Sequence, residues 1–424
     1  MSITNSLYIG ISGLIAHGDA ISVVGDNIAN ASTVGFKRAR ASFSDLLGGE
    51  LGAQRMGGGV RLGASQTMYD QGAITQTGNP LDVAISGDGM FVVKGNHGGH
   101  PGQFYTRDGR FSLDNQGFAV DPRGLRVQGY TINNGVKANN IGDLALGSRT
   151  SPPIATASAK MAFHLDSSTP ANPVPFDPAN PDATSDYATS ITVKDSLGKD
   201  HHVDMYMRSN GGGGWEWHAM VDGGEVGGTA GTPQEIGSGS LAFNTDGTLQ
   251  SQTVNASSVQ FTGAAPQTIA YNFGDDIASG GTGNDGTTQT AGPNSVNSLD
   301  IDGRSGGTIT DLVINDDGTV DGVFDNGDRF QIAQLAIAEF ANQEGLERAG
   351  DGLLTETTAS GQALIDVPGS GARGSLVSGA LEASNVDLGT ELVTLIAYQR
   401  AFQANAKTIT TADEMMADVN NLKR

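Results

Sequence analysis

Residues 381–416 read LEASNVDLGTELVTLIAYQRAFQANAKTITTADEMM, and Leu381, Leu388, Leu395, Phe402, Ile409 and Met416 recur in them every seven positions. A seven-residue apolar seam belongs to a helix that packs lengthwise against another helix. The opposite end of the chain carries the same period. Leu7, Leu14, Ile21 and Ile28 are seven apart, and Ile11, Ile15 and Val24 widen the stripe. Both ends therefore read as amphipathic helices, over 4–30 and 384–421, about 40 Å and 55 Å long at ~1.5 Å per residue. Gly10, Gly13, Gly18 and Gly25 each weaken the first helix by about 1 kcal/mol relative to Ala, so it needs a partner. In the second, Leu392 and Ala406 extend the seam while Gln399 and Asp413 interrupt it. A hairpin of just these two helices would leave Ile11, Ile15, Leu392 and Ile396 half exposed. Lateral packing among many copies fits this pattern better than an isolated coiled-coil stalk.

The chain between these helices reads as strands and turns. Gly accounts for 62 of 424 residues and only 17% are charged, a composition of many turns and short strands. Leu81, Val83 and Ile85 alternate with polar residues, and Met90–Val93 forms a second apolar run. Phe104, Phe111, Leu113, Phe118, Val120, Leu125, Val127 and Tyr130 follow as inward candidates, separated by turn signals such as Asp121-Pro122-Arg123-Gly124. Seven of the 14 prolines fall in 148–182, which marks the entry to a separate module. Within it, Trp215, Trp217, Ala219 and Val221 share one strand face. Residues 299–340 return to the style of 70–131. The expected fold class is mainly β with α-helical termini, one β domain being nested inside another.

Charge and composition exclude several functions. The net charge is −22, so a nucleic-acid partner lacks the basic face that it requires. Residues 151–300 hold 16 acids against 4 bases, an acidic module with a solvated surface. There is no Cys, hence no disulfide and no thiolate metal site. No stretch reads as a membrane span, and membrane insertion is not expected. No Lys or Arg precedes Lys37, and glycines break the first apolar run, which argues against a cleaved secretory signal.

Candidate chemistry is sparse. Asp316, Asp317, Asp321, Asp325 and Asp328 invite a calcium reading, but they sit beside Gly318, Gly322 and Gly327, and no Glu closes an EF-hand loop. Turns explain them better. His201 and His202 are adjacent on a strand and point to opposite faces, which opposes a shared metal ion. GISGL lacks the spacing of a nucleophile elbow, and the Gly-rich MGGGV at 56–60 is followed by no Lys-Ser/Thr. No catalytic residue, cofactor or metal is expected.

Longer motifs carry a family resemblance. SGLIAHGDAISVVGDNIANASTVGFKRAR (12–40) resembles the N-terminal signature of the flagellar rod and hook axial proteins. The matching positions are Asn27, Ile28, Ala29, Asn30, Thr33, Gly35, Phe36 and Lys37. NVDLGTELVTLIAYQRAFQANAKTITTADEMM (385–416) is similar to their C-terminal signature, including Asn385, Gln399 and Arg400. QGAITQTGNPLDVAISGDGMFVV (71–93), YTRDGRFSLDNQGFAVDPRGLRVQGY (105–130) and GLLTETTASG (352–361) resemble the shared middle motifs. Asp26, Phe402 and Met416 stand where the family usually has Asn, Tyr and Leu.

The resemblance implies a non-enzymatic structural subunit that polymerises with itself. The large inserted module points to the hook members, which form a curved tube acting as a universal joint between rod and filament; the shorter distal rod members are the alternative. It further implies terminal helices forming an inner core (1–30 and 381–424), with Leu7, Ile11, Leu14, Ile21, Ile28, Leu388, Leu392, Leu395, Phe402, Ile409 and Met416 at subunit interfaces. Gly-rich connecting segments (31–70 and 356–380), an inner β domain (71–147 and 299–355) and an acidic outer β domain (148–298) follow outward. Other flagellar axial and junction proteins, the hook cap and the type III export apparatus are the implied partners, and the extracellular flagellum is the implied location.

Overall fold

The computed structural model describes residues 3–51, 54–133, 135–256 and 258–422. Helix α1 spans Ile3–Ala29. It is followed by a long antiparallel hairpin of β1 (Ala39–Leu51) and β2 (Gln54–Thr67), with Ala39 opposite Thr67 and Phe43 opposite Leu62. Next come β3 (Ile74–Gln76) and β4 (Val83–Ser86), whose partners arrive from the far end of the chain. β4 pairs with β5 (Ser375–Ser378), and β3 with β6 (Ala380–Glu382). Helix α2 then runs over Leu388–Leu422. Both ends of the chain are thus stitched by backbone hydrogen bonds into one place, within a compact unit of Met1–Arg149, Ile309–Val323 and Arg329–Arg424.

The β core of this unit is a multistranded sheet. Residues 90–97 pair with 100–106 and 126–133, and 126–133 pairs in turn with 329–335. Val83, Ile85, Met90, Phe91, Val92, Val93, Phe104, Tyr105, Leu125 and Val127 are buried here. Runs buried on both faces, such as 90–93, explain why the sequence there is continuously apolar and not alternating. Leu113 departs from the expected inward set: it lies on a two-residue strand and is exposed.

The second unit comprises Thr150–Thr308 and Phe324–Asp328. A five-stranded antiparallel meander (187–194, 200–211, 214–222, 233–243 and 249–256) supplies one layer. The strand at 158–166 organises another, pairing with 270–272, 288–290 and 295–301. Trp215, Trp217, Ala219 and Val221 all enter the core between them, as their common strand face requires.

Three expected boundaries are corrected. The inserted unit continues past residue 298, because 295–301 pairs with 158–166 and the Asp302 carboxylate accepts from the Ala157 and Ser158 N–H groups. Segment 31–70 is mostly the β1–β2 hairpin, not a connector. Its glycines bring the strand against α1: Gly59 has φ +112°, and the neighbouring Val60 N–H donates to Ser12 Oγ at 3.1 Å. Segment 356–380 also contributes strands, 364–366 pairing with 337–339 and β5 with β4.

Trp217 packs against Tyr271 and Phe273 with ring centroids 5.1 and 5.0 Å away. Trp217→Ala should therefore destabilise the inserted unit by about 3–5 kcal/mol. Urea denaturation followed by the remaining tryptophan, Trp215, measures this; an unchanged midpoint would remove Trp217 from the core.

Candidate assembly surface

Helices α1 and α2 pack antiparallel. A Cβ placed on Gly10 would meet Ile409 Cγ1 at 2.9 Å, and one on Gly13 would meet Asn405 Oδ1 at 2.7 Å; Gly18 faces Phe402. The glycines that weaken α1 in isolation are therefore where α2 crosses it. The residues α1 buries most deeply are small: Gly10, Gly13, Ala16, Ala20, Val24 and Asn27. They recur at three- and four-residue spacing, one face of a helix. Close backbone approach puts small residues in this seam and displaces the large aliphatics to its flanks.

The expected interface residues divide accordingly. Leu7, Leu14, Ile21, Ile28, Leu395, Phe402 and Ile409 are half-buried beside the seam. Ile11 (44% exposed), Leu388 (49%), Leu392 (49%) and Met416 (37%) project outward, as do Tyr8 (70%), Ile15 (58%), Val393 (68%) and Ile396 (49%). Leu381, the first member of the expected heptad, lies on β6 and not on the helix. Asp387 starts α2 six residues later: its carboxylate accepts from the Thr390 N–H at 2.6 Å, which caps the first turn. The hairpin covers one more side, where Phe43 meets His17 and Tyr398 at centroid distances of 5.2 and 5.8 Å.

The two ends are joined by a buried polar knot. Glu382 Oε1 accepts from Lys37 Nζ at 2.6 Å and the Gly72 N–H at 2.8 Å, and Oε2 from Arg107 Nη1 at 3.2 Å. Lys37 also donates to the Asp70 carbonyl at 2.7 Å. Burial holds the Lys37 amine below its ordinary pKa although Glu382 opposes the shift. Asn27 Oδ1 accepts from the Ala39 N–H, while its Nδ2 donates to the Ala39 carbonyl and to Glu391 on α2. Asn385 Oδ1 accepts from the Arg38 N–H, and its Nδ2 donates to the Met68 and Asp70 carbonyls.

The remaining motif positions shape the turn after α1. Thr33 Oγ1 donates to Asn30 Oδ1 at 3.0 Å. Gly35 has φ +68°, its N–H donates to the Glu382 carbonyl, and a Cβ there would meet the Arg107 backbone at 2.8 Å. Arg348 lies over the Phe36 ring. Ala29, Gln399 and Arg400 are exposed and stand outside the knot. Glu382, Arg107 and Glu391 were not singled out from sequence. Their partners lie 275 to 364 positions away, so no local spacing signals them.

Among the described residues, no group of three or more His, Cys, Asp or Glu side chains is arranged to hold a metal ion. The Asp-rich turns use their carboxylates locally: Asp317 accepts from the Thr319 N–H and hydroxyl, Asp321 from Arg329, and Asp325 from the Thr308 N–H and hydroxyl. His201 is buried between Asp195 and Glu225, whereas His202 is exposed. One expectation is corrected. Ser6–Ala29 is long and apolar enough to cross a membrane by length and composition, because Asp19 and Asp26 are its only charged residues. Only 28% of the qualifying stretch is buried.

Four family models match the chain in order: the flagella basal body rod protein at 7–37, the flagellar hook protein FlgE/F/G D1 domain at 84–148, the flagellar basal body protein FlaE D2 domain at 164–304, and the flagellar basal body rod FlgEFG protein C-terminal at 377–422. That series defines an axial protein of the bacterial flagellum. Flagellar hook protein FlgE of Escherichia coli K12 is 35% identical over 97% of this chain and 98% of its own length. The Salmonella typhimurium LT2 and Treponema pallidum hook proteins are 34% and 32% identical, covering 97% and 99% of this chain and 98% and 99% of their own lengths. The chain belongs to the flagellar hook protein family.

Two predictions test this surface. Glu382→Ala leaves the Lys37 and Arg107 cations buried without their carboxylate and should cost about 3–5 kcal/mol, measured by chemical denaturation. The Asp387 carboxyl is held below its ordinary pKa chiefly by the Thr390 N–H. Its cap is therefore fully formed above the ordinary carboxylate range and lost as pH falls through the lowered folded value. Hydrogen-exchange protection in the first turn of α2, measured relative to the intrinsic rate at each pH, should fall on acidification, and Asp387→Ala should remove that dependence.

Proposed function

We propose that the chain is the structural subunit of the hook, a helical homopolymer that forms a flexible curved tube and transmits torque from rod to filament. The single observation that carries this reading is the uncovered apolar surface of the helix pair. Tyr8, Ile11, Ile15, Leu388, Leu392, Val393 and Ile396 stay 44% to 70% exposed although α1, α2 and the hairpin are already packed together. Monomers do not keep such a surface in water when neighbours can cover it. Burying the exposed half of a Leu or Ile is worth about 1 kcal/mol, and each site is repeated in every subunit.

The proposed mechanism is mechanical and needs no catalytic group, cofactor or metal. Terminal helices form the tube's inner core, where side-chain packing resists twist. The β domains lie outward, and polar contacts between them slide as the strands of the tube lengthen and shorten, so bending costs little. Head-to-tail contacts that do not close generate the open helix. The subunit acts outside the cell, after passage through the type III export apparatus, and meets the hook cap and the axial and junction proteins at the ends of the tube.

Removing residues 388–422 should leave a soluble protein whose β units still melt cooperatively but which forms no tubes by negative-stain electron microscopy. Tubes without this helix would sink the reading. Leu392→Asp should raise the concentration needed for assembly more than about tenfold, a 1.4 kcal/mol effect, while shifting monomer stability by no more than about 0.5 kcal/mol. A large fall in monomer melting would instead make Leu392 an intramolecular core residue.

A further inference from the structure

Two histidines close one hairpin of the inner β domain. Residues 90–97 and 100–106 are joined through Gly98 and Gly99, at φ +58° and +84°, and the register sets His97 directly opposite His100. A two-residue turn with both positions left-handed matches the strand twist and pins that register. Opposed residues of an antiparallel pair project from the same sheet face, their Cβ atoms about 5 Å apart. Both imidazoles therefore start from one face.

A carboxylate joins them from far along the chain. Residues 347–350 and 353–355 form a second hairpin, which pairs with 100–106, and its turn carries Asp351. Among the described residues, Asp351 is the one non-glycine with a left-handed backbone, at φ +50°. Arg123 donates to its carbonyl, and Asp121, 2.8 Å from the Arg123 Nε, balances that cation. The exposed Asp351 carboxylate faces His97, with Oδ2 3.8 Å from Nε2. That gap is too long for a hydrogen bond. It is close to the ~3.4 Å between two ligands that each sit ~2.1 Å from a tetrahedral ion.

The other histidines show the contrast. His164, His201 and His218 spend ring nitrogens on Pro293 and Thr290, on Asp195 and Glu225, and on Glu235. The rings of His97 and His100 make no hydrogen bond among the described residues. The edge of Phe104, 5.8 Å away between centroids, holds the His97 ring in place. His100 is exposed at the hairpin end, so its ring turns freely between rotamers.

We propose that His97 Nε2, the Asp351 carboxylate and the His100 ring together hold one divalent first-row transition ion, such as Zn2+, with water completing the tetrahedron. In the free chain the three do not converge; His97 and Asp351 are set, and His100 turns in to close the site. Two imidazoles and a carboxylate suit Zn2+ and its neighbours, whereas Mg2+ and Ca2+ take all-oxygen ligands. The bound ion would clip the tip of one hairpin to the turn of the other. All three residues belong to one compact unit, so the site stands apart from the polymer reading.

The absence of cysteine removes competing thiolates from the test. Zn2+ is titrated calorimetrically into the dilute full-length protein. Mg2+ is the control, because a chain of net charge −22 gathers any divalent cation weakly. Expected are one Zn2+ per chain, a raised melting temperature with Zn2+, and no comparable binding of Mg2+. His100→Ala alters an exposed ring, and Asp351→Asn keeps a residue that tolerates the left-handed backbone, so both variants should melt like the wild type without metal. Each should weaken Zn2+ binding by more than about tenfold, a loss that even outer-shell partners of a metal can cause. Wild-type protein that binds no Zn2+, or binding that both variants leave intact, would overturn the site. One Zn2+ per two chains would overturn it in favour of an ion bridging copies.

Discussion

One buried carboxylate, that of Glu382, holds the two ends of the chain and the β domain together. It ends β6, six positions before the start of α2, and bonds Lys37 from the segment after α1, Arg107 just past the strand at 100–106, and the backbone at Gly72. The one carboxylate faces both cations, so removing it would leave two buried positive charges beside each other. Because Asn27 and Asn385 add bonds on either side of it, the direction in which the helices leave the β domain follows from this knot. The helices connect to the rest of their unit through residues 30–39, the hairpin, residues 380–388 and the Asp26–Arg348 ion pair.

The helix pair shows how one surface serves two kinds of contact. Small residues face inward, where Gly10 and Gly13 let the backbones of α1 and α2 approach. Large aliphatics then lie at the flanks and on the outside, where a single chain has nothing further to cover them. Had the large side chains filled the intramolecular seam, the pair would be wider, and less apolar surface would remain for neighbours. The glycines lower the stability of α1 by itself and raise the surface available to an assembly.

The nested unit follows a different logic. Its core is complete, with Trp215, Trp217, Phe163, Phe261 and Phe273 fully buried among strands that enter and leave through 150 and 308. Its buried acids, Asp195, Asp276 and Asp328, are hydrogen-bonded within the unit, and most of the others lie at the surface.

By itself, the sequence determined the amphipathic helices at both ends, the β character between them, the shared face of Trp215 to Val221, and the side chains that a two-helix hairpin leaves exposed. All of these depend on periods of two, three to four, or seven residues, which local steric geometry reads directly. Leu381 shows the limit of that reading: it continues the heptad, yet backbone pairing with Thr75 captures it into a strand. Only the tertiary structure decided that the glycines of α1 face α2, that 39–67 is a hairpin lying on that helix, and that Glu382, Lys37 and Arg107 meet. Those outcomes rest on contacts between residues tens to hundreds of positions apart, where close packing and the cost of an unpaired buried charge select the partner, and neither quantity exists along the chain before it folds.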